Sequence, residues 1–164
     1  MKSMKLVFEF MLRAACVCFL ISCIAPVTQA GESEDIPIIQ KWSGDYQVAH
    51  LNRLPEGLRK SRVGYIGDAA TLTGVWQAFR PGEKEPEVDF GKNLVVFSRN
   101  VDFYNRTSIF KITLKDGVIE ILAMETRSAL PIEDKVAMAL AVIQRAGVKF
   151  IKAGHERIPV PEDD

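Results

Sequence analysis

Few residues of this chain are of the types that carry out chemistry. The two histidines, His50 and His155, lie far apart in the sequence, and neither belongs to a motif that binds zinc. No G-x-S-x-G motif is present, and no glycine-rich loop has the spacing of a nucleotide-binding site. We therefore predict no metal, no cofactor and no catalytic constellation. If the protein is an enzyme of unrecognised type, His50, Asp102 and His155 are the residues to test.

All three cysteines lie within the first 30 residues, which have the pattern of an export signal. A basic lead precedes an apolar run over residues 14–25, and residues 28–30 (TQA) suit signal peptidase. Residues 20–23 (LISC) also match a lipobox, in which Cys23 is acylated. We predict cleavage after Ala30 and a periplasmic protein. The alternative is a lipoprotein signal that ends before Cys23, which leaves a membrane-anchored lipoprotein with the acylated Cys23 as its first residue.

The rest of the chain predicts a single domain. Residues 31–37 (GESEDIP) are polar and acidic and predict a flexible lead, and residues 38–161 predict the fold. Residues 1–30 carry three basic and one acidic side chain, so 18 basic and 20 acidic side chains remain, with a net charge of −2. This balance predicts no nucleic-acid partner, and contact with a membrane only through a lipid anchor.

The clearest structural pattern is a β-hairpin. Residues 107–114 and 118–124 flank Asp116-Gly117, a pair typical of a two-residue type I′ turn. That turn predicts a register in which Leu114 pairs with Ile119 and Phe110 with Ala123. One face of the hairpin would then be apolar and the other mostly polar; the predicted apolar face contains Phe110, Ile112, Leu114, Ile119, Ile121 and Ala123.

A helix is predicted over residues 69–79, with Asp68 as its N-cap. Its apolar side chains recur at helical spacing and form a stripe that we expect to pack on the apolar face of the hairpin. The members of this stripe are Leu72, Val75, Trp76 and Phe79. Residues 94–97 (LVVF) lack alternation and predict a strand covered on both faces. Residues 46–51 predict another short strand, with Tyr46, Val48 and His50 on one side.

Residues 132–146 are compatible with two structures. Acidic residues near the start, Arg145 near the end and Gly147 beyond it favour a helix. The alternation of larger apolar residues with small ones over residues 136–143 fits a strand buried on both sides. The predicted fold class is therefore α+β, a mostly antiparallel sheet with one packed helix and a second helix as one of the two alternatives for this segment.

The segment between the buried strand and the hairpin is the candidate binding surface. Long irregular loops on a rigid sheet often bind partners, and aromatic and arginine side chains are frequent in binding hot spots. The candidate residues are Arg99, Asp102, Phe103, Tyr104 and Arg106. In the alternative interpretation, Phe103 covers the core while the charged side chains satisfy turn backbone.

The order of these elements resembles that of a known family. A helix containing Trp76, then residues 88–96 (VDFGKNLVV) and then a hairpin are similar to the C-terminal domain of PrcB-like protease-complex proteins, over about residues 65–150. The resemblance implies an exported accessory domain without enzymatic activity that stabilises a partner in the cell envelope. It also implies a strand over residues 137–145.

Three functional hypotheses follow. The first is a non-catalytic exported domain that binds or stabilises a protein partner in the envelope. The second is a periplasmic domain that binds a small ligand or a glycan near residues 99–106. The third is the enzyme of unrecognised type considered above.

Overall fold

The computed structural model describes residues 31–100, 104–127 and 134–161, with the backbone alone for residues 104 and 105. These residues belong to one compact unit that begins at Gly31. Within these ranges the chain forms nine strands in two sheets, one α-helix and two short 3₁₀ helices. The predicted α+β fold is confirmed. The predicted export signal, with Cys23, lies outside the described residues.

The strands are divided between two sheets. The four-stranded sheet is antiparallel, in the spatial order β2 (Gln40–Gln47), β7 (Lys135–Gln144), β4 (Asn93–Arg99) and β3 (Val63–Ile66). The five-stranded sheet has the order β1 (Glu34–Asp35), β5 (Tyr104–Lys115), β6 (Val118–Arg127), β8 (Phe150–Ala153) and β9 (Glu156–Pro159). Only β6 and β8 pair in parallel among the described strands. The helix α1 spans Ala69–Phe79, and the 3₁₀ helices span Val48–Arg53 and Glu56–Leu58.

The four-stranded sheet is the middle layer of three. Val95 and Phe97 of β4 belong to the core that this sheet shares with α1. Leu94 and Val96 belong to the core between the two sheets, where they meet side chains such as Ile112. Because successive side chains of a strand point to opposite faces, β4 is covered on both sides. The prediction from its unbroken apolar run is confirmed.

The ambiguous segment is a strand. β7 alternates between the two cores, with its larger side chains on the helix side and mostly alanine between the sheets. β2 and β4 pair with its two edges, so its backbone groups are satisfied without a helix. The second helix predicted as one alternative over residues 132–146 is therefore wrong for residues 134–146; residues 132 and 133 lie outside the described ranges.

The helix α1 has the predicted bounds and the predicted cap. The carboxylate of Asp68 accepts a hydrogen bond from the Thr71 backbone N–H at 2.8 Å, which satisfies one of the free donors of the first turn. Its four stripe residues are buried, but they pack on the four-stranded sheet and not on the hairpin. That part of the prediction is wrong, because β4 and β7 form a second apolar surface that the hairpin pattern did not reveal.

The predicted hairpin turn is confirmed, but the pairing of β5 with β6 shifts by one residue within the hairpin. Asp116 and Gly117 have φ of 51° and 78°, as a type I′ turn requires. Leu114 pairs with Ile119 as predicted, but Ile109 pairs with Ala123 because the register shifts between Ile109 and Lys111. Such a shift is a β-bulge, in which one extra residue is inserted into one strand. The extra residue is Phe110, which is 57% exposed, so its predicted place on the apolar face is wrong.

The N-terminal part of the domain also differs from the prediction. β2 begins at Gln40 and ends at Gln47, and the chain then continues as a 3₁₀ helix. The strand predicted over residues 46–51 is therefore wrong beyond Gln47. Within the predicted lead, Glu34 and Asp35 form the short strand β1 on the edge of β5.

Candidate functional site

Arg99, the first candidate residue, is buried at 2% exposure. Its Nε donates a hydrogen bond to the Ser61 carbonyl at 2.6 Å, and its Nη2 donates to the Arg59 carbonyl. Its backbone N–H donates to the Arg62 carbonyl at 2.8 Å. Arg99 therefore fastens the segment before β3 to the end of β4, and its guanidinium is not part of the surface.

Arg99 belongs to a buried polar cluster with Tyr46. Burial lowers the pKa of Arg99, with the phenol of Tyr46 acting in the opposite direction. Burial raises the pKa of Tyr46 from 10.0 to about 12, although the nearby Arg53 and Arg99 oppose that change. The Tyr46 hydroxyl donates to the His50 carbonyl at 2.9 Å. A tyrosine held neutral in this way is suited to stabilising the fold and not to proton transfer at neutral pH.

The remaining candidate residues are not gathered into one described site. Arg106 is exposed on β5. Tyr104 is the first residue of β5, and only its backbone is described. Asp102 and Phe103 lie outside the described residues. Because β4 extends to Arg99 and β5 begins at Tyr104, the predicted loop is shorter than its sequence pattern indicated.

The two histidines lie in separate elements and do not form a common site. His50 lies in the first 3₁₀ helix, and His155 is exposed in the turn between β8 and β9. Within residues 31–100, 104–127 and 134–161, no three side chains of His, Cys, Asp or Glu are arranged to hold a metal ion. Over the same ranges, no helix has the length and apolar character needed to span a membrane.

The five-stranded sheet carries an apolar cluster on the face turned away from the core. Phe110, Leu122 and Met124 are 57%, 54% and 60% exposed. Leu122 and Met124 are two residues apart on β6 and therefore project from the same face. The bulge places Phe110 against this pair, since the β5 residues on either side of it pair with Ala123 and Leu122. We call these three residues the outer patch.

Polar side chains surround the outer patch. Lys111 forms an ion pair with Asp35 at 2.7 Å, and Lys152 forms one with Glu120 at 2.8 Å. Ser108 pairs with Met124 across the strands. On the side toward β2, Phe110 also lines a groove of about 460 Å³, together with Ile39, which is 51% exposed. An apolar centre with a polar rim is the usual composition of a protein-binding surface.

The sequence contained a signal for two of these three residues. Once Ile119 and Ile121 are assigned to the core, alternation along β6 places Leu122 and Met124 on the outer face. We predicted a mostly polar outer face and did not assign Leu122 and Met124 to it. Phe110 could not be placed, because the bulge that turns it outward has no marker residue such as glycine in this stretch.

A second concave region, of about 1130 Å³, lies where β2 meets the end of α1 and the β5–β6 pair. We call it the β2 cavity. Arg80 lies at its wall: Nη2 donates to the Ser43 carbonyl at 2.6 Å and Nη1 donates to the Glu83 carboxylate at 3.1 Å. The guanidinium carbon is 5.2 Å from the centre of the Phe79 ring. Arg106 also lines the cavity, so one candidate residue from the sequence contributes to it.

Comparisons of the chain with protein-family models, with curated proteins and with solved structures gave no match. The resemblance to the PrcB-like proteins therefore remains a prediction. The strand β7 covers residues 137–144 of the strand that this resemblance implies over residues 137–145. A buried strand is common to many sheet proteins and does not identify a family.

Proposed function

We propose that this domain binds a protein partner through the outer patch and that it is not an enzyme. The observation that carries the proposal is the adjacency of three large apolar side chains, each more than half exposed, on one sheet face. Single exposed apolar residues are ordinary, whereas a contiguous group ringed by polar residues is typical of an interaction site.

The exposed apolar side chains of the outer patch are costly to hydrate, so a partner that covers them gains free energy. Covering an exposed apolar side chain is worth about 25 cal/mol per Å² of apolar area removed from water. Large side chains such as phenylalanine and methionine contribute most to that area. A partner with an apolar projection, surrounded by polar groups that meet Lys111 and Glu120, fits this surface.

The experiment is a quantitative pull-down from envelope fractions with the wild type and three variants. Phe110→Thr and Leu122→Thr remove apolar area while keeping a residue that favours strands. Val48→Thr is the matched control, since Val48 is 39% exposed and lies in the first 3₁₀ helix, away from the patch. A specific partner should be recovered by wild type and Val48→Thr and reduced about tenfold by each patch variant.

Equal recovery by all variants would contradict the use of the outer patch. Recovery of no specific partner, together with turnover of a substrate, would contradict the proposal as a whole. Circular dichroism and thermal unfolding of each variant serve to show that a loss of binding is not a loss of folding.

We further propose that the protein acts in the cell envelope after export, as its first 30 residues predict. Palmitate labelling of wild type and of Cys23→Ser distinguishes the two modes of export. Labelling of the wild type alone supports a lipid anchor, and the absence of label with the protein in the periplasm supports cleavage after Ala30.

A further inference from the structure

We propose that the protein partner binds through an extended segment that adds as a strand to the open edge of β6, at Ile121 and Ala123, beside the outer patch. The inference rests on the proposed function and deepens it, because it states which kind of segment covers the patch and how its backbone is held.

The strand β6 is longer than the neighbour on its second side. It spans Val118–Arg127, but β8 pairs with it only at Val118 and Ile119. Beyond Ile119, that side of β6 has no strand partner among the described residues. An unpaired stretch of strand presents a row of backbone donors and acceptors, to which another strand can pair.

The pairing of the hairpin identifies the groups that point to this edge. Val118 belongs to the pair that closes the two-residue turn, so its backbone bonds to β5. Backbone groups of an antiparallel strand point alternately to one side and the other, so Leu122 also bonds to β5. Ile121 and Ala123 therefore face the open side. Within residues 31–100, 104–127 and 134–161, their N–H and C=O groups form no hydrogen bond on that side.

Other edges of the two sheets are protected. β1 pairs with part of β5, and Lys41 Nζ donates to the Ile109 carbonyl of β5 at 3.3 Å. Arg80 donates to the Ser43 carbonyl of β2. The outer edge of β9 contains Pro159, which has no N–H. Lysine, proline and covering segments are the usual means by which proteins prevent strand pairing at an edge. The edge at Ile121 and Ala123 is therefore the better candidate for a strand that is meant to pair.

A groove of about 710 Å³ lies along this edge, and we call it the β6 groove. Residues 120–123 of β6 all line it, as expected for a groove that follows the edge of a sheet instead of one face. Ile121 and Ala123 are partly exposed on its inner side, where Val63 and Ile158 also line it. Leu122 lies on the outer side. A strand in this groove would therefore direct alternate side chains inward and toward the outer patch.

The charges that line the β6 groove are balanced. They are three basic and three acidic residues: Lys60, Arg62, Lys152, Glu120, Glu125 and Glu156. Lys152 and Glu120 form an ion pair at 2.8 Å. Such a balance favours neither an acidic nor a basic segment. The segment that fits is an extended peptide of little net charge with apolar side chains at alternate positions, held by backbone hydrogen bonds.

The test begins with a phage-displayed library of random dodecapeptides selected on the purified protein. Enriched peptides should carry apolar residues at every second position. A synthetic copy should bind saturably, and N-methylation at alternate residues should weaken its binding about tenfold, whereas N-methylation of the residues between them should not. NMR should show that bound peptide slows amide exchange at Ile121 and Ala123.

Ala123→Pro removes an edge N–H that the pairing of β5 with β6 does not use, and should weaken peptide binding about tenfold. Arg157→Pro is the matched control. Because Ala153 and Glu156 pair next to the turn, the backbone of Arg157 faces the outer edge of β9, away from the β6 groove. This variant should bind the peptide as the wild type does. If Ala123→Pro does not fold, the N-methylated peptides decide the matter.

Failure to enrich any peptide, enrichment without alternating apolar residues, or sensitivity to N-methylation without a period of two would overturn the inference. The pull-down separates this failure from that of the proposed function. Loss of the envelope partner with Leu122→Thr but not with Ala123→Pro would keep the outer patch and reject strand addition. Loss with Ala123→Pro alone would reject the outer patch and keep strand addition.

Discussion

Phe110 and Leu122 lie side by side on the outer face of the five-stranded sheet because a β-bulge turns Phe110 away from the core. Without the bulge, strict alternation along β5 would give Phe110 the inward position that Ile109 holds instead. One inserted residue thus both preserves the core and completes the exposed apolar patch on which the proposed function rests.

The bulge predicts opposite results for two neighbouring substitutions. Ile109 is 1% exposed, so Ile109→Ala should lower the free energy of unfolding by about 3 kcal/mol through lost burial and a cavity. Phe110→Ala should change it by less than about 1 kcal/mol, because the ring is largely in water. Urea unfolding of both variants measures the difference. A larger loss for Phe110→Ala than for Ile109→Ala would show that the register is wrong.

Arg99 should behave as a structural residue. Arg99→Met removes the charged donor and leaves the carbonyls of Ser61 and Arg59 without their partner, at a cost of about 2–4 kcal/mol of unfolding free energy. Arg99→Lys should recover only part of this, because an ammonium lacks the fork of donors that the guanidinium provides. Denaturant unfolding is the measurement. Unchanged stability with weakened partner binding would instead make Arg99 a contact residue.

Tyr46 should make the domain sensitive to alkaline pH. Its pKa rises from 10.0 to about 12 on folding, so the unfolded chain loses the phenolic proton first. The stability is therefore complete below about pH 10 and falls as the pH rises toward 12, by roughly 3 kcal/mol for a shift of this size.

Tyr46→Phe separates this effect from the titration of other groups. The variant should lose about 1 kcal/mol at neutral pH, where the hydrogen bond to the His50 carbonyl is missing. Its stability should decline less than that of the wild type between pH 10 and 12. Parallel declines of both proteins in urea unfolding across this range would argue against a raised pKa at Tyr46.

Thr107→Val should increase the stability of the protein. The substitution keeps the shape of the side chain and removes a buried hydroxyl without a partner, which is worth about 1–2 kcal/mol. Thermal unfolding provides the measurement, and a decrease in stability would mean that the hydroxyl is already satisfied.

The sequence was most informative where local chemistry decides the structure. The Asp68 cap, the stripe of α1 and the Asp116-Gly117 turn depend on residues close together in the chain, and all were predictable. Residues 134–144 were not decidable locally, because the residues at the two ends of the segment favour a helix while the alternation of alanine with larger apolar residues favours a strand between two layers.

The parts that could not be predicted depend on tertiary packing. The position of Phe110 follows from a bulge, and the burial of Arg99 follows from the path of the segment before β3. The β2 cavity joins Arg80 to Thr107, residues from separate elements that no sequence spacing relates. Arg106 alone among the predicted site residues could be confirmed as exposed.

The most direct test of the proposed function is site-specific photo-cross-linking in intact cells. A photoreactive residue placed at Leu122 should give one discrete cross-linked product with an envelope protein, and the same residue at Val48 should not. The purified partner should then bind the wild type about tenfold more tightly than Phe110→Thr. A smear of products from both positions, or equal affinity of the two proteins, would contradict a partner-binding role for the outer patch.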